Sequence, residues 1–420
     1  GWHTGYTPGL MNDQGQHHRG PFACAVAPRL SVALLCAALV SLAMVARAAD
    51  GDSAPLLRIE TGMHSGMITA LASDRGGAVL LTASLDGTAR LWDTRSGALL
   101  RTLRPPIEGE PGEGRLFAAS LSADGKLAAV AGYTRYFDFS SGRGSSVYLF
   151  DAQTGALRRR IAGLASPTGH PQADAVRDLR LFADPPKPAQ LLLAAARTEG
   201  TASLSIVESS LQRGADLQGS TLDVDVRGRL VLLGPGREVR LLDSRGPALV
   251  KRPIPMGSLP EGLRPLQARL SPDGGKLAIL VDGGGEAPGR ARVLVWSAPT
   301  LSPLYEVALG DTSAVAALAW LPAGPRLCIG GEAGEGRPLL RCYDDGGRGP
   351  ARDLTTQVSR DQGATGAVRA LLPLPGGALA YATEEPAFGV LEADGRRRLQ
   401  RRAAFTDLAR LPPAERAAAL

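Results

Sequence analysis

His64, Ser84 and Asp86, with Trp92 just beyond them, bring together the residue types of nucleophilic catalysis within a short stretch of the 420-residue chain. A hydroxyl, an imidazole and a carboxylate in mutual reach are what an acyl-transfer enzyme needs, provided the hydroxyl opens onto a substrate cleft. The other chemistry-bearing residues are sparser. Cys328 and Cys342 lack the Cys-x-x-Cys spacing that lowers a thiol pKa, and Asp282-Gly283-Gly284-Gly285-Glu286 has the spacing of neither an EF-hand nor a phosphate loop. No convergent cluster calls for a cofactor or a metal, and none is expected.

The elements around these residues decide between chemistry and architecture. From Leu56 to Leu103 the chain alternates short apolar runs with turn signals: Leu56–Glu60, Ile68–Ala72, Val79–Ser84, Thr88–Asp93 and Leu99–Leu103, separated at Asp74 to Gly77, Asp86-Gly87 and Ser96-Gly97. Evenly spaced short strands of this kind build one blade of a β-propeller. The stretch resembles a WD repeat. That resemblance implies a structural tetrad, with His64 before the first strand, Ser84 on the second, Asp86 in the tight turn and Trp92 on the third. Indole, hydroxyl, imidazole and carboxylate satisfy one another in such a loop, where unpaired they would each cost about 1–3 kcal/mol. The triad is therefore expected to lock a blade rather than to attack a substrate.

The same beat recurs. Ser122-Ala123-Asp124-Gly125 and Ser271-Pro272-Asp273-Gly274 fall at first hairpin turns. Third strands are expected to end at Trp92-Asp93, Phe150-Asp151, Val207-Glu208, Leu242-Asp243, Trp296-Ser297, Tyr343-Asp344 and Leu391-Glu392. Seven such ends predict an all-β, seven-bladed WD-repeat propeller over residues 49–403, followed by a tail at 404–420, with Leu56 to Glu60 supplying the outer edge of the last blade and so closing the ring. Cys328 and Cys342 would then face each other across the sixth blade's hairpin, as a disulfide or as two buried thiols according to register.

Residues 55 to 160 are also similar to a group of bacterial WD-repeat proteins, several of which carry a caspase-like peptidase in the same chain. The peptidase does not carry over, because no cysteine sits in the setting such a nucleophile needs. The turns at Asp93–Gly97 and Asp151–Gly155 resemble the docking turns of quinoprotein propellers, but Arg101 and Arg159 replace the tryptophan expected four residues after each glycine. The expected function is accordingly a non-catalytic protein-interaction scaffold. The alternatives are a propeller enzyme of quinoprotein or lactonase kind and the sensor subunit of a split caspase-like system.

The partner is expected to be another protein. The segment Tyr133-Thr134-Arg135-Tyr136-Phe137-Asp138-Phe139 gathers four aromatics in a chain only 5% aromatic, on what reads as a long loop between second and third strands. Tyr133, Arg135, Tyr136, Phe137 and Phe139 are the residue types that anchor interfaces, the alternative being that the loop folds onto its own propeller rim. The net charge of +6 owes much to Arg396, Arg397, Arg398, Arg401 and Arg402, so it marks no nucleic-acid face. Arg29, the apolar run Leu30 to Val45 and Ala46-Arg47-Ala48 have the form of a cleaved export signal occupying residues 1–48, with Met11 as the start, so that residues 1–10 stand upstream of it. The run is shorter than the roughly 20 residues a helical span needs, a retained anchor being the alternative. The expected location is the periplasm, where a disulfide is permitted.

Overall fold

The computed structural model describes residues 62–402, less the segments 107–113, 139–142, 162–174, 185–186, 198–200, 208–211, 219–221, 225–228, 234–238, 244–249, 255–262, 283–290, 310–313, 323, 335–336 and 359–365. Its strands form seven four-stranded antiparallel sheets, each built from consecutive strands in the chain. The first holds β1 (Ile68–Ser73), β2 (Val79–Ser84), β3 (Ala89–Asp93) and β4 (Leu99–Leu103); the second β5 (Leu116–Leu121), β6 (Leu127–Asp138), β7 (Arg143–Asp151) and β8 (Leu157–Ile161). The third comprises β9 (Val176–Asp184), β10 (Lys187–Arg197), β11 (Thr201–Ile206) and β12 (Gln212–Gln218); the fourth β13 (Leu222–Val224), β14 (Arg229–Leu233), β15 (Val239–Asp243) and β16 (Val250–Ile254). The fifth is β17 (Arg264–Leu270), β18 (Lys276–Asp282), β19 (Arg292–Ser297) and β20 (Pro303–Ala308). The sixth is β21 (Ala314–Leu321), β22 (Arg326–Glu332), β23 (Pro338–Tyr343) and β24 (Ala351–Asp353), and the seventh β25 (Val368–Pro373), β26 (Leu379–Thr383), β27 (Ala387–Leu391) and β28 (Arg397–Arg402).

Burial follows position within each sheet. Second strands such as β14, β18 and β26 are buried almost throughout, because a neighbouring sheet covers each of their faces, and they read as continuous apolar runs. Outer strands such as β4, β8 and β28 are mostly half-buried or exposed, and each carries arginine. Seven apolar cores result, one between each pair of adjacent sheets. The last of them packs Ile68, Leu80 and Trp92 of the first sheet against Ala380, Phe388 and Val390 of the seventh. The arrangement is a β-propeller whose first and last blades meet.

That closure differs from the expectation. The outer place of the seventh sheet is filled by β28, from the chain's own C-terminal side, so the sheet is complete without Leu56 to Glu60, which lie outside the described residues. The seam is held by packing and by a bridging arginine instead: Arg401 Nε donates to Gly97 O at 2.9 Å. The same device links other blades. Arg101 Nε donates to Gln153 O, Arg159 Nη1 to Val207 O and Arg352 Nη1 to Asp394 O, each an outer-strand guanidinium reaching a carbonyl of the next blade's third strand or the turn after it. In the fifth blade Tyr305 does so through its hydroxyl, to Gly346 O. Arg101 and Arg159 thus dock one blade on the next by hydrogen bonding, where a tryptophan would do so by stacking.

Hairpin turns repeat the same local chemistry. Ser122 Oγ donates to Asp124 Oδ1 and accepts from Leu127 N; Ser271 Oγ donates to Asp273 Oδ1 and accepts from Lys276 N. The hydrogen bond from the serine holds each aspartate below the ordinary carboxylate range.

Candidate functional site

Two groups of polar residues are drawn together by this fold. The first lies at the seam, in the first blade. Trp92 Nε1 donates to Thr82 Oγ1 at 2.9 Å, Thr82 Oγ1 and His64 Nε2 are 2.7 Å apart, and His64 Nδ1 stands 3.0 Å from Asp86 Oδ2. Asp86 is further held by Thr88 through both hydroxyl and amide, and by Ser65 N. A neutral imidazole protonated at Nδ1 closes the set without an unmet donor: indole to threonine, threonine to histidine, histidine to aspartate. His64 and Thr82 are fully buried and Trp92 is 2% exposed. No substrate can approach the imidazole, and the arrangement works as a lock.

Ser84 does not occupy its expected place in this relay; Thr82 does. Trp92 pairs with Leu80 across β2 and β3, so the hydroxyl one step along the same face is Thr82, while Ser84 lies a further step away. Ser84 instead ties the strand end, donating to Gly66 O at 2.8 Å and accepting from Asp86 N. Thr82 and Thr88 were missed, although a threonine two residues before Ser84 on the same face is visible in the sequence.

Burial alone would raise the Asp86 carboxyl, but the hydrogen bonds from His64 and Thr88 outweigh it and hold the group far below the usual range. A depressed folded value contributes stability that is complete above the unfolded value, about 3.9, and is lost as pH falls below it. Asp86→Asn is therefore expected to flatten part of the fall in thermal midpoint between about pH 5 and pH 2, checked by melting curves across that range.

The second group lines a central cavity of about 560 Å³ bounded by the inner strands of all seven sheets. Its polar lining includes Arg177, Asp178, Arg180, Asp223, Arg269 and Arg369. Arg180 pairs with Asp178, and its Nε lies 4.0 Å from Asp223 Oδ1, which belongs to the next blade. Asp223 Oδ2 accepts from Leu270 N at 2.8 Å, tying the fourth blade to the fifth. Burial pushes the Asp223 carboxyl up against the pull of Arg269 and Arg180, and pushes the Arg269 guanidinium down. Gln267 completes another bridge, accepting from Leu318 N and donating to Ala316 O. None of these cavity residues stands out in the sequence, where Val176-Arg177-Asp178-Leu179-Arg180 reads as an exposed strand.

Cys328 and Cys342 are direct cross-strand partners in the sixth blade and are joined as a disulfide, both buried in the core shared with the seventh blade. A loop closed over a sequence separation of 14 stabilises by about 3 kcal/mol. Cys328→Ser/Cys342→Ser is expected to lower the thermal midpoint by several degrees, read by calorimetry against the oxidised protein.

The aromatic segment is not the loop expected. β6 continues through Asp138, and Arg135 pairs with Ser145 and Asp138 with Arg143, so Tyr133 to Asp138 form one arm of a hairpin that outruns the six-residue strand β5 beside it. Tyr133 is half-buried; Phe139 lies outside the described residues, as do residues 283–290 and the export and tail segments. Among the described residues no group of His, Cys, Asp and Glu could hold a metal ion, and no helix is long and apolar enough to cross a membrane.

Residues 57–93 match the WD domain, G-beta repeat. The match spans the first three strands and the relay of the first blade, and with the ring of sheets it supports a β-propeller of the WD-repeat class. No curated protein matches the chain.

Proposed function

We propose that the chain is a seven-bladed, non-catalytic scaffold that binds another protein in the periplasm. The observation that carries this is the fate of the first blade's catalytic-looking residues: His64, Asp86 and Thr82 are consumed in a buried lock, leaving surface and the central cavity as the means of recognition. WD-repeat propellers typically serve as platforms for protein partners, and the hairpin arm at Tyr133 to Asp138 offers a further contact. The signal-like pattern of residues 1–48 supports a binding event outside the cytoplasm. The likeness to bacterial WD-repeat proteins with caspase-like domains favours a partner from a signalling or proteolytic assembly.

Fractionation followed by mass spectrometry tests the location, with a mature start expected near Ala49 or Asp50; an intact cytoplasmic chain beginning at Met11 would remove it. Cross-linking in periplasm through a photoreactive residue at Phe117 or Tyr136 tests the scaffold. Recovery of a defined protein partner is expected, and turnover of a sugar lactone or a quinone-dependent substrate by the purified protein would overturn the non-catalytic reading.

A further inference from the structure

The outer strands of three consecutive blades, the seventh, first and second, form a basic sector of the rim. From the end of the third strand to the end of the fourth, residues 392–402 hold five arginines against two carboxylates, and residues 93–104 and 151–161 each hold three against one. Their combined balance of +7 exceeds the +6 of the whole chain. The corresponding stretches of the third, fifth and sixth blades, 207–218, 297–308 and 344–353, are net acidic. That of the fourth, 243–254, is basic but stands between two of these.

Direct contacts join the three strands. Arg401 reaches the turn ahead of β4 at Gly97, and Arg101 the turn ahead of β8 at Gln153, each at 2.9 Å. The acceptors of Arg101, Arg159 and Arg401 are backbone carbonyls, which orient a guanidinium without cancelling its charge. Carboxylates pair with Arg158, Arg396 and Arg398, but those pairs lie at the surface and are already counted in the balance. Each outer strand also carries one extra residue at the same place: Leu100 before Arg101, Arg158 before Arg159 and Arg398 before Leu399. Such a bulge interrupts the edge ladder, so a partner engages this rim by side chains rather than by adding a strand. Leu100 and Leu157, 39% and 41% exposed, stand beside the arginines as apolar contacts.

We propose that this sector is the docking surface for an extended acidic segment of the partner protein, one that carries apolar side chains among its carboxylates. Charge complementarity selects the acid, and the exposed leucines favour a polypeptide over a polyphosphate, which would make no use of them. Curvature separates such a segment from a membrane. Outer strands two blades apart on a ring of seven face directions about 100° apart, so a flat bilayer meets them one at a time while a flexible chain follows all three. This inference rests on the scaffold reading and adds the place and chemistry of the partner's contact.

The test is fluorescence anisotropy of the purified protein with two fluorescein-labelled peptides of equal length, one of glutamate alone and one of glutamate with leucine interspersed. Both are expected to bind and to weaken as salt is raised, the leucine-bearing peptide binding severalfold more tightly. Arg158→Gln combined with Arg398→Gln, on blades two apart, should weaken both peptides about tenfold. Leu100→Ser should remove most of the advantage of the leucine-bearing one. Arg292→Gln combined with Arg348→Gln takes the same two charges from ion pairs of the fifth and sixth blades, and should change either affinity by less than twofold. Melting midpoints should stay near the parent's, since none of these side chains is buried. Equal losses in the two double variants would reduce the effect to overall charge and overturn the sector. So would failure of both peptides to bind, or binding of phosphatidylglycerol vesicles without either peptide, which would make the rim a membrane face. A partner cross-linked in periplasm whose capture the Arg158→Gln, Arg398→Gln variant leaves unchanged would sink the sector while leaving the scaffold reading standing.

Discussion

Trp92→Ala is expected to lower the thermal midpoint by roughly 10 °C, the largest effect of any side-chain truncation in the first blade. The indole lies 4.8 Å from the Phe388 ring of the seventh blade, centroid to centroid, so its removal opens a cavity at the seam where the ring closes. Truncating a buried tryptophan costs about 3–5 kcal/mol. Thr82 loses a donor as well. Trp92→Phe keeps most of the burial and forfeits only the indole N–H, so it should cost about a third as much. The relay can be dissected in the same way: Thr82→Val leaves both Trp92 Nε1 and His64 Nε2 without their acceptor or donor, each at about 1–3 kcal/mol, whereas Ser84→Ala removes two bonds at the edge of the turn. Thr82→Val is expected to be the more damaging of the two. If Ser84→Ala proved worse, the relay would run through the serine, and the register of β2 on β3 would be wrong.

The ends of the third strands were legible because their signals are local. Asp86-Gly87, the Ser-x-Asp-Gly turns and the aspartate or other polar residue closing each third strand act within a few residues, and β3, β7, β15 and β19 end at the second residue of the expected pair. Thr82 was hidden because choosing between two hydroxyls on one face requires the cross-strand register, which depends on how β3 is offset by the turn. The cavity was hidden for a stronger reason. Arg177, Asp178 and Arg180 in a strand look solvent-exposed until seven sheets are arranged around an axis, and Asp223 meets Arg180 only across a blade boundary. Closure by Leu56 to Glu60 was expected from the general need to hide a sheet edge; a complete seventh sheet and the Arg401 bridge meet that need with residues whose role only the tertiary packing reveals.

Gly132→Ala is expected to destabilise by roughly 3 kcal/mol or more, a large penalty for one methyl group. Gly132 stands opposite Leu116, at the point where the bulge at Phe117 begins. A Cβ there would lie 2.1 Å from Arg115 O and 2.7 Å from Leu116 Cα and Phe117 N, all backbone atoms of the neighbouring strand. None can withdraw without breaking the bond from Tyr133 N to Arg115 O at 2.8 Å. The sixth blade repeats the constraint: Gly331 faces Val315 beside the bulge at Ala316, and its Cβ would meet Ala314 O at 2.1 Å. Ser84 and Thr383 hold the corresponding places in the first and seventh blades, so the requirement belongs to particular blades and not to the turn itself. Gly275→Ala, whose nearest neighbours are Asp273 carboxylate atoms at 3.3 Å or more, is the matched control and should be nearly neutral.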